Sequence, residues 1–173
     1  AVQPFIIVGI DHPGADRGRQ YLPQSILERL PADVRMKLEA QGNGKPVISD
    51  EYLRFIIEEL RPLINCRFRT RTGRTHTAIV GSSMGGLISF YAIARYPAIF
   101  GKAAVVSTHW PLAAPGWSDA ERELLIAAWR DFIALDLGRP QGRRIWFDHG
   151  TATLDSFYAP YQRAVDAALA DRS

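Results

Sequence analysis

One cysteine, Cys66, stands in a chain of 173 residues. That excludes an internal disulfide framework and a zinc site built on several thiolates. Long apolar runs are missing as well. None approaches the ~18 residues that a bilayer-spanning helix needs, so no membrane span is expected. The opening AVQPFIIVGID has no basic stretch ahead of its apolar residues, unlike a secretory leader. Charge of either sign is in small excess only, +3 from 21 Lys and Arg against 18 Asp and Glu. The densest basic segment, RPLINCRFRTRTGRT, holds Arg61, Arg67, Arg69, Arg71 and Arg74 but only one aromatic, Phe68. That is too little stacking surface for a nucleic-acid platform, and the segment is expected as solvated surface. No feature calls for a metal, nucleotide or redox cofactor. Internal repeats and low-complexity tracts are also missing.

What is there is an ordinary globular balance, 47% hydrophobic and 23% charged, in a length that suits one domain spanning residues 1–173. Apolar runs alternate with helical stretches. FIIVGI (Phe5 to Ile10), THTAIV, KAAVVS and RRIWFD have the composition of buried strands. Between them lie helical patterns. Ser25 to Gln41 is interrupted at Pro31 and closed by Gly42, and the stretch from Asp50 places Leu53, Ile56, Ile57 and Leu60 on one face. GLISFYAIARY, the run opened by Ser118 and Glu121 in a capping-box pattern, and LDSFYAPYQRAVDAALADR are the others. Strands separated by helices imply parallel pairing, hence an α/β sheet with helices on both faces. Ligands in such sheets bind beyond the carboxyl ends of the strands. The loops after Ile10, Val80, Ser107 and Phe147 therefore matter most.

One of those loops carries a motif. In AIVGSSMGGLISF, residues 81–85 fit G-x-S-x-G with Ser83 at the centre, a strand before it and a helix directly after it. Strand–turn–helix is the context that a nucleophile elbow requires. Small neighbours let the helix approach the strand. The serine oxygen then stands at a helix N-terminus, where unpaired N–H groups favour negative charge. The N–H of Met84 would supply one half of an oxyanion hole. A phosphate cradle is the competing reading, but the lysine of a P-loop is missing.

IIVGIDHPGADRGRQYLP, YLRFIIEELRPLINCRFRT, AIVGSSMGGLISFYAIARYPAIFGKAAVVST and DHGTATLD, in that order, resemble the putative esterase (esterase D-like) family of α/β-hydrolases, to which enterochelin esterases and mycolyltransferases are related. The resemblance implies Ser83 as nucleophile and an acid in the position of Asp155, after the G-T pair; Asp148, which ends the RRIWF strand, is the alternative. It also implies that the loop with Arg17 and Tyr21 lines the approach to the site. In that family the base follows the acid, in a GxxH turn one strand further on, and no histidine follows Asp155. The chain is thus expected to be the central portion of the domain, without its first strands and its histidine-bearing strand. A further strand is then expected between FIIVGI and TAIVG, so that these two do not pair directly.

Four histidines are present. His76 precedes the strand that leads to Ser83, so at ~3.3 Å per residue it lies about 20 Å from the serine and cannot be its base. His12, His109 and His149 all follow strands. His109 or His149 would serve as a substitute base if a ring nitrogen came within hydrogen-bond reach of the Ser83 oxygen. Both are otherwise expected to line the substrate site, as is Trp110. An aromatic acyl pocket would draw on Trp110, Trp117, Trp146, Phe147, Phe157 and Tyr158, though most of these are expected in the core. The expected activity is hydrolysis of a small-molecule carboxylic ester through an acyl-serine. Transfer of the acyl group to an alcohol, or a binding domain without catalysis, are the alternatives.

Overall fold

Three of the four expected strands form: β1 (Ala78–Ser82), β2 (Lys102–Val106) and β3 (Arg144–Asp148). The computed structural model describes residues 4–12, 14–41, 44–113 and 115–172, and orders the strands β1-β2-β3 with both pairs parallel. The helices in chain order are α1 (Arg17–Tyr21), α2 (Gln24–Arg29), α3 (Ala32–Gln41), α4 (Ser49–Arg54), α5 (Arg61–Arg67), α6 (Met84–Arg95), α7 (Asp119–Leu135) and α8 (Ala159–Ala170). Parallel neighbours need crossovers, and α6 and α7 supply them. The register aligns Ser82 with Val106 and Val106 with Asp148, so all three strands end on one rung. The loops that leave this rung converge at one place.

The α/β class and the parallel sheet are those expected, and helices flank the sheet. Their cover is uneven. The strand residues that alternate toward α6 are buried or half-buried, and α6 packs along β1 and β2. On the opposite pleat Val80 and Trp146, in register through Ala104, are 68% and 67% exposed.

The core lies between α6, α7 and the sheet. Phe90 on α6 sits at its centre, with the rings of Trp110, Trp129, Phe132 and Phe147 at centroid distances of 5.5–6.2 Å. Such rings bury large apolar area, and edge-to-face contact adds to it. Both buried indoles find partners. Trp110 Nε1–H donates to Gln162 Oε1 at 2.8 Å, and Trp129 Nε1–H donates to the Trp110 carbonyl at 3.1 Å.

The Phe5 to Ile10 stretch joins no sheet and is not hydrogen-bonded to β1; Phe5 and Ile7 are 72% and 80% exposed. A β-branched run becomes a strand only where a neighbour completes its ladder, and none of the described strands lies beside it. Pro31 separates α2 from α3 as expected, while Gly42 lies outside the described residues. The helix expected from Asp50 runs on without interruption, but residues Phe55–Leu60 form wide π turns before α5. Pro62 explains the widening: it lacks an N–H and its ring crowds the preceding turn. Pro160 falls instead in the first turn of α8, where no intrahelical donor is lost.

The capping box at α7 is present. Ser118 Oγ accepts from the Glu121 N–H at 3.3 Å, and the Glu121 carboxylate accepts from the Ser118 N–H at 2.9 Å. Lys37 of α3 pairs with the same carboxylate. The Lys37 hydrogen bond first, then Ser118, holds the Glu121 carboxyl down at about 2. Ser118→Ala should destabilise the protein by about 1 kcal/mol. Urea unfolding with an unchanged midpoint would show that the cap contributes nothing.

Candidate active site

Ser83 is the single residue between β1 and α6, with φ 55° and ψ −120°. A non-glycine residue there costs about 1–3 kcal/mol and persists only when its surroundings hold it. They do. The Ser83 N–H donates to the Val106 carbonyl at 2.9 Å, while its own carbonyl accepts from Gly86 at 3.0 Å and from His109 at 3.2 Å. The serine is thereby tied to the end of β2, to the first turn of α6 and to the loop beyond β2.

The glycines differ in what they do. A Cβ on Gly81 would lie 2.3 Å from the Gly85 carbonyl oxygen, and one on Gly86 would lie 2.5 Å from Thr108 Oγ1. Gly85 itself would meet nothing within 4 Å. The close approach of helix to strand thus rests on Gly81 and Gly86. The last glycine of the motif instead leaves open space beside the serine.

That space is a cavity of about 300 Å³, bounded by Ile10, Asp11, His12, Arg17 and Tyr21 on one side and by residues 82–85 on the other. Arg17 and Tyr21 both border it beside Ser83. Among the described residues the Met84 N–H has no hydrogen-bond partner, so at the start of α6 it is free to donate to an anionic oxygen. A smaller, apolar hollow of about 110 Å³ beside Leu137 and Ile145 lies away from Ser83 and holds no candidate nucleophile.

Both candidate acids reach the loop after β2, by different atoms. Asp155 Oδ2 accepts from Ser107 Oγ at 2.9 Å and from the Gly150 N–H at 2.7 Å. Asp148 accepts from the Ser107 backbone N–H at 3.3 Å and from Trp146 Nε1 at 3.5 Å. Asp148 is thus engaged at the sheet end. Asp155 sits in the turn that leads to Tyr158.

Among the described residues no histidine ring is hydrogen-bonded to the Ser83 hydroxyl or to either aspartate. His12 Nδ1 accepts from the Gly14 N–H at 3.0 Å, and His149 Nδ1 lies 2.8 Å from the Gly150 carbonyl. His109 Nδ1 lies 2.9 Å from the Tyr158 hydroxyl, with the rings edge to face. Burial lowers the pKa of His109, and the Arg17 charge lowers it further, against a backbone hydrogen bond to Ala113. Burial, then Asp155, raises that of Tyr158.

Trp110, expected to line the pocket, is instead fully buried between Phe90, Trp129 and Phe147. The backbone turns after Ser107, which has φ 41°, and sends the indole inward. His149 does not line the Ser83 cavity. Of the expected aromatic wall, Trp146 and Phe157 are exposed, and Phe147 packs against Phe90. Ser107 was not expected at the site, and Tyr158 only as a wall. Its spacing was the available signal. Tyr158 is one helical turn after Asp155 and one before Gln162, which holds Trp110, so one face of that segment meets the whole loop after β2.

A family model described as Putative esterase matches residues 2–170. The chain belongs to this esterase family. Its parallel sheet and flanking helices agree with the α/β-hydrolase type. The chain is also 37% identical over 60 residues to "Uncharacterized protein YbbA" of Bacillus subtilis (strain 168), a stretch covering 34% of this chain and 24% of that protein. The match therefore spans about a quarter of that relative's length. No solved structure matches the chain significantly. Among the described residues of this esterase-family chain, no helix is long and apolar enough to cross a membrane, and no three His, Cys, Asp or Glu side chains cluster as metal ligands.

Proposed function

We propose that the protein hydrolyses small-molecule carboxylic esters through an acyl-serine formed on Ser83. The observation that carries this reading is the backbone of Ser83, φ 55° and ψ −120°, held between a strand end and a helix start beside an open cavity. Strain of this kind serves chemistry by presenting one oxygen to the cavity. Ser83 Oγ attacks the ester carbonyl, and the Met84 N–H stabilises the oxyanion that develops. The alcohol departs with a proton, and water releases the acid from the serine. Asp155, anchored by Ser107 and Gly150, takes the acid's part in this reading: its charge favours the protonated form of a histidine base, which accepts the Ser83 proton and returns it to the departing alcohol.

A fluorophosphonate probe tests the assignment, because it traps only an activated serine. Mass spectrometry of the labelled intact protein should place the adduct on Ser83 alone. Labelling elsewhere, or none, would overturn the reading and favour a binding domain. Product analysis with an added alcohol separates hydrolysis from acyl transfer.

A further inference from the structure

We infer that Ser107 is a positioning residue that sets the acid, Asp155, relative to the nucleophile, Ser83. This rests on the acyl-serine reading of Ser83. Three observations carry it.

The backbone on either side of Ser107 is bonded to the nucleophile turn. The Val106 carbonyl accepts from the Ser83 N–H at 2.9 Å, and the His109 N–H donates to the Ser83 carbonyl at 3.2 Å. The Ser107 N–H itself donates to the Asp148 carbonyl at 2.9 Å, with Asp148 Oδ1 at 3.3 Å. By backbone alone, this segment is fixed to the ends of both β1 and β3.

The side chain then sorts the two aspartates. Ser107 Oγ–H donates to Asp155 Oδ2 at 2.9 Å. The Gly150 N–H donates to the same oxygen at 2.7 Å, and a Cβ on Gly150 would come within 2.9 Å of it. Both donors thus converge on Oδ2, and among the described residues Oδ1 accepts from none. An ionised carboxylate only accepts, so Oδ1 is the oxygen left for the N–H of the base. Asp148 has no such oxygen to spare. The Ser107 N–H engages its Oδ1, and Trp146 Nε1 engages its Oδ2.

The backbone of Ser107 is strained, and its hydroxyl gives the strain a use. Its φ of 41° is one that glycine adopts freely and serine does not. Such a residue persists where its surroundings over-determine it. Glycine would fit this backbone better, yet only a side chain can reach Asp155, and among the described residues Ser107 supplies the one side-chain donor to that carboxylate.

The test is p-nitrophenyl acetate hydrolysis by the intact protein, with kcat and KM measured separately. The variants are Ser107→Ala, Ser107→Gly, Asp155→Asn, Ser83→Ala and the double variant of Ser107→Ala with Asp155→Asn. Misplacing an orienting group by ~1 Å costs on the order of 100-fold, so both Ser107 variants should lose about that much kcat with KM unchanged. Ser107→Gly should do so while melting at or above the wild-type temperature, a pairing that a merely structural role would not give. Asp155→Asn should lose about 10,000-fold. Adding Ser107→Ala to it should cost nothing more, because Ser107 acts only through the acid. Wild-type kcat in Ser107→Gly, or a raised KM alone, would overturn the role of Ser107 and leave Ser83 and Asp155 in place. A further loss of the same size in the double variant would also overturn it. If Ser107→Ala melts early, Ser107→Gly takes its place alone and in the double variant. Wild-type turnover in Asp155→Asn would overturn the acid and with it this role for Ser107. Turnover retained in Ser83→Ala, or none in the wild type, would overturn the acyl-serine reading itself.

Discussion

Ser83→Ala should reduce p-nitrophenyl acetate hydrolysis on the order of a million-fold, the scale on which removal of a serine nucleophile acts. Only background hydrolysis should remain. The fold should survive, because the backbone hydrogen bonds that hold the turn, to the Val106 carbonyl and from the Gly86 and His109 N–H groups, do not use the Ser83 side chain. Ser83→Gly carries a second expectation with opposite signs for activity and stability. Glycine adopts φ 55° without steric cost, so this variant should be inactive and yet more stable by about 1 kcal/mol. Strain held for function would then be visible as stability gained when function is lost. Retained turnover in Ser83→Ala would refute the nucleophile. A lower melting temperature in Ser83→Gly would show that the turn is not strained.

The second large effect belongs to Gly81. A methyl group there would sit 2.3 Å from the Gly85 carbonyl oxygen and 2.4 Å from its carbonyl carbon. Both are backbone atoms, so no rotamer change relieves the clash. Gly81→Ala must push α6 away from β1 and should cost about 3 kcal/mol. It should also abolish activity, because α6 carries the Met84 N–H. Gly85→Ala meets no atom within 4 Å and should leave the unfolding midpoint near wild type while raising KM, since its methyl enters the cavity. Equal destabilisation by the two variants would contradict this division of roles.

These contrasts show what was legible in the sequence. G-x-S-x-G between a strand pattern and a helix pattern located Ser83, because strand, turn and helix each leave a local signature. The capping box at Ser118 is equally local, and so are the three strands that pair. Phe5 to Ile10 has the same β-branched composition, yet pairing depends on a neighbour that composition does not record. Trp110 was misplaced for a related reason. Its position after a strand end was legible, but the inward turn of the backbone at Ser107 was not. The Tyr158 contact with His109 joins residues 49 positions apart in sequence. Only the packing of α8 against the loop after β2 brings them together.

The common rung of Ser82, Val106 and Asp148 gives the molecule a working end and an idle end. At the idle end, before β3, residues 138–142 turn through Gly138 at φ 67°, Gln141 at φ 45° and Gly142 at φ 76°, all five of them exposed. Foreign sequence spliced there adds length where the chain already reverses in solvent. The parallel register of β2 with β3 would carry none of that change to the rung. A tag or a fused domain at this turn is therefore the graft that should leave Ser83 and its neighbours untouched.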